Sequence, residues 1–177
     1  GLKIGTNGAS SPALPNCYMD EIRIVKGTAV YTSNFTPPTS RLEAIANTKL
    51  LIHSNKVVHD SSSKQTPFII SDMSKVYPST ANVATVLGAS RPLGGSSWKF
   101  DGASGHLIIP NTYISFEDSQ DFTIDFWIRS DCASGDASPL DARITGETGG
   151  WSIYRETAKF NFDYVAHDGS WQAGPEL

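Results

Sequence analysis

The chain has 177 residues, of which 39% are apolar, 18% charged and 10% aromatic, with 15 Gly, 10 Pro and a net charge of −4. That is enough apolar material for a real core, and the scattered charges exclude a disordered chain. The acidic balance and the lack of any Lys/Arg run exclude the basic stripe needed against nucleic acid or an anionic membrane surface. No apolar run approaches the ~20 residues that cross a bilayer.

Short segments alternating apolar and polar residues, rich in β-branched and aromatic side chains and separated by Gly, Ser, Asn and Pro, run along the whole sequence. In chain order they predict strands at Leu2–Gly5, Tyr18–Val25, Lys49–His53, a weaker one at Thr66–Ser71, then Ser97–Phe100, His106–Ile109, Phe122–Arg129, Trp151–Arg155 and Lys159–Val165. This is the pattern of an all-β sandwich of antiparallel strands. Helical periodicity is confined to a turn or two at Ser40–Asn47. Thr36 to Asn47 reads as a linker, because Pro37 and Pro38 lack backbone donors and force extended geometry. A boundary near residue 45 follows. Gly88 to Ser97, with Pro92 and Gly94-Gly95, reads as a loop before the Trp98 strand.

Several of these segments resemble a known family. Met19-Asp20-Glu21-Ile22-Arg23-Ile24-Val25-Lys26-Gly27, with Ala29-Val30-Tyr31-Thr32-Ser33-Asn34-Phe35-Thr36-Pro37-Pro38, resembles the closing strand and tail of concanavalin A-like (laminin G-like) modules. Lys49-Leu50-Leu51-Ile52-His53 resembles their opening strand, Ser97-Trp98-Lys99-Phe100-Asp101-Gly102 a second signature and Asp121 to Arg129 a third. The order of these motifs carries the resemblance. The family usually has an acidic residue and an aromatic after the Asp-Gly turn, where this chain has His106-Leu107. The resemblance implies a jelly-roll sandwich present in two parts. Residues 1–45 are expected to close one module, and residues 48–177 to begin the next in a longer polypeptide. It also implies a phage or other viral appendage, or a cell-surface protein, in which such modules bind surface carbohydrate or neighbouring subunits in a homo-oligomeric assembly.

Candidate sites follow from strand phase. In 122–129, Phe122, Ile124, Phe126 and Ile128 share a core face, leaving Thr123, Asp125, Trp127 and Arg129 outside. An indole between a carboxylate and a guanidinium suits stacking on a sugar ring and bonding its hydroxyls; the alternative is that Trp127 packs beneath a neighbouring layer. Strand 151–155 puts Trp151, Ile153 and Arg155 on one face and strand 159–165 puts Phe160, Phe162 and Tyr164 together, so by elimination Tyr154, Asn161 and Asp163 are expected to line the same outward face as Trp127. Asp20 alternates in register with Ile22 and Ile24 and is expected to point into the core, where a carboxylate needs a partner. Hydrogen-bond donors at the strand end are the favoured partner. A Ca²⁺ ion, with Asp60 and Asp101 as further oxygen ligands, is the alternative.

Catalytic patterns are weak. The acids of Glu117-Asp118-Ser119-Gln120-Asp121 precede a strand rather than alternate along one, as the paired carboxylates of glycosidases of this fold do. His53, His59, His106 and His167 lack zinc spacing, and Cys17 and Cys132 match no metal or redox motif. The expectation is a non-catalytic module without a fixed cofactor. A binding role is placed first and a purely structural spacer second.

Overall fold

The computed structural model describes residues 1–6, 16–54, 60–63, 67, 69–70, 76–79, 96–102, 105–109, 116, 119–130, 137–143, 150–156, 159–165 and 170–176. Twelve strands lie among them: β1 (Leu2–Ile4), β2 (Cys17–Lys26), β3 (Thr48–Ile52), β4 (Ile69–Ile70), β5 (Val76–Ser79), β6 (Ser97–Phe100), β7 (Leu107–Ile109), β8 (Phe122–Ser130), β9 (Ala137–Asp141), β10 (Trp151–Glu156), β11 (Lys159–Val165) and β12 (Trp171–Glu176). They form two antiparallel sheets, one of seven strands in the order β12-β11-β10-β9-β1-β7-β4 and one of five built around β2. β2 is long enough to carry β8 along one edge, and β6 and then β3 along the other.

Alternation explains why the sheets face each other. Leu2, Ile4, Leu107, Ile109, Leu140, Trp151 and Ile153 from one sheet meet Cys17, Met19, Ile22, Ile24, Leu50, Ile52, Trp98 and Phe100 from the other in one buried cluster. Two sheets sharing one core are consistent with a β-sandwich. Ile124, Phe126 and Ile128 pack against the cluster from β8 as their phase predicts, while Phe122 stacks on Phe116 and tilts against Phe162. Gly5 shows how tight the interior is. It adopts φ 89°, and a Cβ there would stand 2.3 Å from the Phe100 ring, so no other residue fits without moving that ring.

The boundary near residue 45 does not separate two sandwiches in this chain. β2 pairs with β3 through Ile22↔Ile52, Arg23↔Leu51 and Ile24↔Leu50, and with β8 through Ile24↔Ile124 and its neighbours, while β1 lies between β7 and β9. Strands of 1–45 and of 48–177 are thus interleaved in both sheets. The physical reason is that β2 has an apolar face and two edges of backbone groups that need partners, and strands from Thr48 onward pair along both edges. Nor does the Thr36–Asn47 segment lead away to a separate module, because the whole connection from β2 to β3 returns on itself where Lys26 N–H donates to the Asn47 carbonyl at 3.1 Å.

Candidate functional site

Asp125, Trp127 and Arg129 lie on the outer face of β8, opposite Arg23, Asp20 and Tyr18 of β2. Protein groups occupy them. Arg23 clamps Asp125 with Nε to Oδ1 at 3.0 Å and Nη2 to Oδ2 at 2.5 Å, and the Tyr31 hydroxyl donates to Oδ2 at 3.2 Å. Burial works against the Arg23 charge, yet the hydrogen bonds and charge of Asp125 leave its pKa above the usual arginine value. The Arg129 guanidinium stands over the Tyr18 ring at 4.1 Å. The segment after β2 crosses this face: Val30 N–H donates to Thr123 Oγ1, and Arg23 Nη1 donates to the Glu43 carbonyl. Trp127 therefore lines a cleft of about 320 Å³ with Tyr31, Phe35, Pro37, Pro38 and Leu42, rather than an open aromatic floor.

Tyr154, Asn161 and Asp163 do share one face, as their phase predicts, but it belongs to the other sheet. Ser152↔Asp163 and Tyr154↔Asn161 pair between β10 and β11, whereas β8 pairs with β2. The expected single surface of six residues is thus divided between two sheets. A row of cross-strand neighbours runs Lys3, Asp141, Ser152, Asp163, Ala173 over β1, β9, β10, β11 and β12. At its β12 end a groove of about 520 Å³ opens, lined by Arg143, Ser152, Tyr154, Asp163, Trp171 and Gln172.

The chemistry of this groove is set by three arrangements. Trp171 is 53% exposed, an unusual state for so large an apolar surface. Arg143 is held against Asp141 by three hydrogen bonds: its backbone N–H and Nε to Oδ1, both at 2.9 Å, and Nη2 to Oδ2 at 2.6 Å. The same guanidinium stands over the Trp171 ring at 5.6 Å. Its bonds to Asp141 raise its pKa against the opposing cost of burial, and Asp163 and Tyr154 add to the rise. Asp163 contributes an acceptor and Tyr154 a hydroxyl, while Gln172 follows Trp171 in β12 with its amide donating to Ser170 Oγ at 2.8 Å.

The candidate cation residues have protein partners. β2 carries a bulge between Asp20 and Arg23, with Glu21 at φ 54°. The extra residue resets the alternation, so Met19 and Ile22 both reach the core while Asp20 sits opposite Trp127 on the outer side, not in phase with Ile22. It is nonetheless only 2% exposed. Its Oδ1 accepts from Glu21 N–H at 2.8 Å and Ser54 N–H at 3.0 Å, with Ser54 Oγ at 2.6 Å. Burial raises the pKa of Asp20, outweighing these donors, and the neighbouring Glu21 adds to the rise. Ser54 Oγ also lies 2.5 Å from the Ser96 carbonyl, and one hydroxyl proton cannot serve both acceptors. A proton on Asp20 relieves that shortage. Asp60 accepts from Leu51 N–H and Ser62 N–H at 2.9 Å and from Ser62 Oγ at 2.7 Å. Among the described residues no group of three or more His, Cys, Asp or Glu is placed to hold a metal ion, and Asp101 is only half-buried. Cys17 is a buried thiol of the core, and Cys132, His59, His167, Glu117 and Asp118 lie outside the described residues.

Sequence reasoning missed Trp171, Arg143 and Gln172. A signal for the first existed, since Asp168-Gly169 between two alternating runs is a hairpin signature that places a strand at Trp171. Arg143 carries no such mark, because its role arises from a short turn back onto Asp141. Comparison with protein-family models, with curated proteins and with solved structures finds no match to this chain.

Proposed function

We propose that this chain is a non-catalytic carbohydrate-binding module of the concanavalin A-like, jelly-roll kind. It belongs to a virion appendage or cell-surface protein that works as a homo-oligomeric assembly outside the cell. The observation that carries the reading is the groove beside Trp171. An exposed indole flanked by a carboxylate, a phenol and a guanidinium offers a stacking platform with hydrogen-bonding groups at its rim, which is what a pyranose needs. Binding is favoured over hydrolysis by the state of the two carboxylates in the cross-strand row. Asp141 is 2% exposed and engaged by Arg143, so of this pair only Asp163 faces the groove, whereas glycoside hydrolysis uses two acids.

Glycan-array screening followed by calorimetry tests the reading. Trp171→Ala should weaken binding at least about tenfold, or ~1.4 kcal/mol, with little change in melting temperature because the ring is exposed. Failure of the native chain to bind any glycan would end it. A spacer role in subunit assembly is the second reading, supported by Phe35, 53% exposed beside the Trp127 cleft, and Ile69, 63% exposed. Its mark would be concentration-dependent association that Phe35→Ser weakens.

A further inference from the structure

We infer that the Trp171 groove selects neutral and amine-bearing sugars over carboxylated or sulfated ones. The inference rests on the carbohydrate-binding reading and names its ligand class. An arginine beside an exposed tryptophan would ordinarily suggest the reverse, an anion site, since guanidinium pairs with carboxylate and sulfate in a two-bond fork. Here that fork is already closed. Nε and Nη2 of Arg143 both face Asp141, at 2.9 and 2.6 Å, and the backbone N–H of Arg143 adds a third bond to the same carboxylate. An anionic sugar seeking that edge would have to displace Asp141, a residue buried in the sheet and fixed by its place in β9, and any approach to the other guanidinium hydrogens meets a charge that Asp141 already offsets.

With Arg143 offset by Asp141, the remaining charge on the groove wall among the described residues is the carboxylate of Asp163. Asp163 lies on β11 between Ser152 and Ala173, in a strand paired on both sides, so the ladder fixes the face of the sheet on which its carboxylate stands. The nearest other cation along the row is Lys3, three strands from Asp163, or about 14 Å at ~4.8 Å per strand and beyond a physiological Debye length of ~8 Å. At the far end of β10, Glu156 faces Lys159 across the ladder and contributes no net charge. The groove therefore offers acceptors to hydroxyl and ammonium donors, and like-charge repulsion to a ligand carboxylate or sulfate.

The experiment is a glycan array carrying neutral, amine-bearing and acidic oligosaccharides. Calorimetry of the native chain then follows on matched β-1,4-linked glucose, glucosamine and glucuronic acid tetramers and on the best neutral array glycan with its carboxylated counterpart. The expected result is that acidic members bind at least about tenfold more weakly than neutral counterparts. Amine-bearing members should equal or exceed the neutral ones and lose affinity as salt rises. Asp163→Asn should bring the acidic-to-neutral affinity ratio closer to one. Preferential, Trp171-dependent binding of acidic glycans would overturn the inference while leaving carbohydrate binding intact. Equal binding of all three classes, or a ratio that Asp163→Asn does not move, would also overturn it. An array with no positive member would overturn both.

Discussion

Replacing Asp125 by Ala should destabilise the fold through the arginine it leaves behind. The side chain of Arg23 is 6% exposed and that of Asp125 is 18% exposed, so the pair is largely removed from water. Deleting the carboxylate removes two charge-assisted bonds and an acceptor for Tyr31, and leaves the guanidinium with the Tyr31 hydroxyl at 3.3 Å and the Glu43 carbonyl at 3.1 Å. Breaking one side of a buried pair costs about 3–5 kcal/mol, and the residual acceptors and partial exposure of Asp125 place this case near the lower end, about 3 kcal/mol. With a urea slope of ~2 kcal/mol/M the midpoint should fall by roughly 1.5 M. Removing both charges, as in Arg23→Met with Asp125→Leu, should recover much of that loss, because no uncompensated charge remains. A midpoint shift for Asp125→Ala below about 0.3 M would show that the pair is solvated, and that the segment after β2 does not cover it.

Other expectations can be checked with the same equipment. Asp20→Asn keeps Oδ1 as the acceptor for Glu21 and Ser54 and removes a charge that burial disfavours. The raised folded pKa means that the folded state holds the proton more tightly than the unfolded chain. The stabilising contribution of that proton is therefore full below the ordinary aspartate value of 3.8 and lost as pH rises through the folded pKa. The Asn variant should accordingly match the native chain at low pH and exceed it increasingly above 3.8, in urea midpoints taken across the range; a difference independent of pH would contradict this. Gly5→Ala should lower the melting temperature by several degrees, since φ 89° and the Phe100 ring each oppose a Cβ, at about 1–3 kcal/mol apiece. Trp127→Ala should cost about 2 kcal/mol as a half-covered packing residue, yet leave Trp171-dependent glycan binding unchanged, which calorimetry would reveal.

Much of the sandwich was legible because strand formation here follows local chemistry. β2, β3, β6, β7, β8, β10 and β11 fall on runs such as Phe122-Thr123-Ile124-Asp125-Phe126, whose alternation demands one buried face. β5, β9 and β12 escaped. Val76-Tyr77-Pro78-Ser79 and Ala137-Ser138-Pro139-Leu140-Asp141 each contain a proline, which lowers strand propensity until neighbouring strands supply the pairing. The bulge was visible but unread. Cys17, Met19, Ile22 and Ile24 are spaced two, three and two apart, and the step of three marks the inserted residue that moved Asp20 out of phase.

What no periodicity contains is which sheet a strand joins. Alternation fixes the face on which Tyr154, Asn161, Asp163 and Trp127 stand relative to their own neighbours, because side-chain direction is a property of one strand. Whether two such faces are continuous depends on pairing partners far apart in sequence. β8 is held by β2 across about a hundred residues, and β9 by β1 across more. The pairing of β8 with β2 puts Trp127 under the chain's own segment after β2, whereas Tyr154 and Asp163 come beside Trp171 through β10, β11 and β12. The more local contacts were the ones that decided the second site: β10, β11 and β12 follow one another as antiparallel neighbours, and Arg143 turns back on a residue two positions away. A groove assembled from consecutive strands can keep its geometry while distant strands exchange partners. If the chain sits within a longer polypeptide that supplies other partners for β1 and β2, the Trp171 groove should persist where the Trp127 cleft does not. Glycan binding that survives Gly5→Ala, measured below the melting transition of that variant, would bear this out.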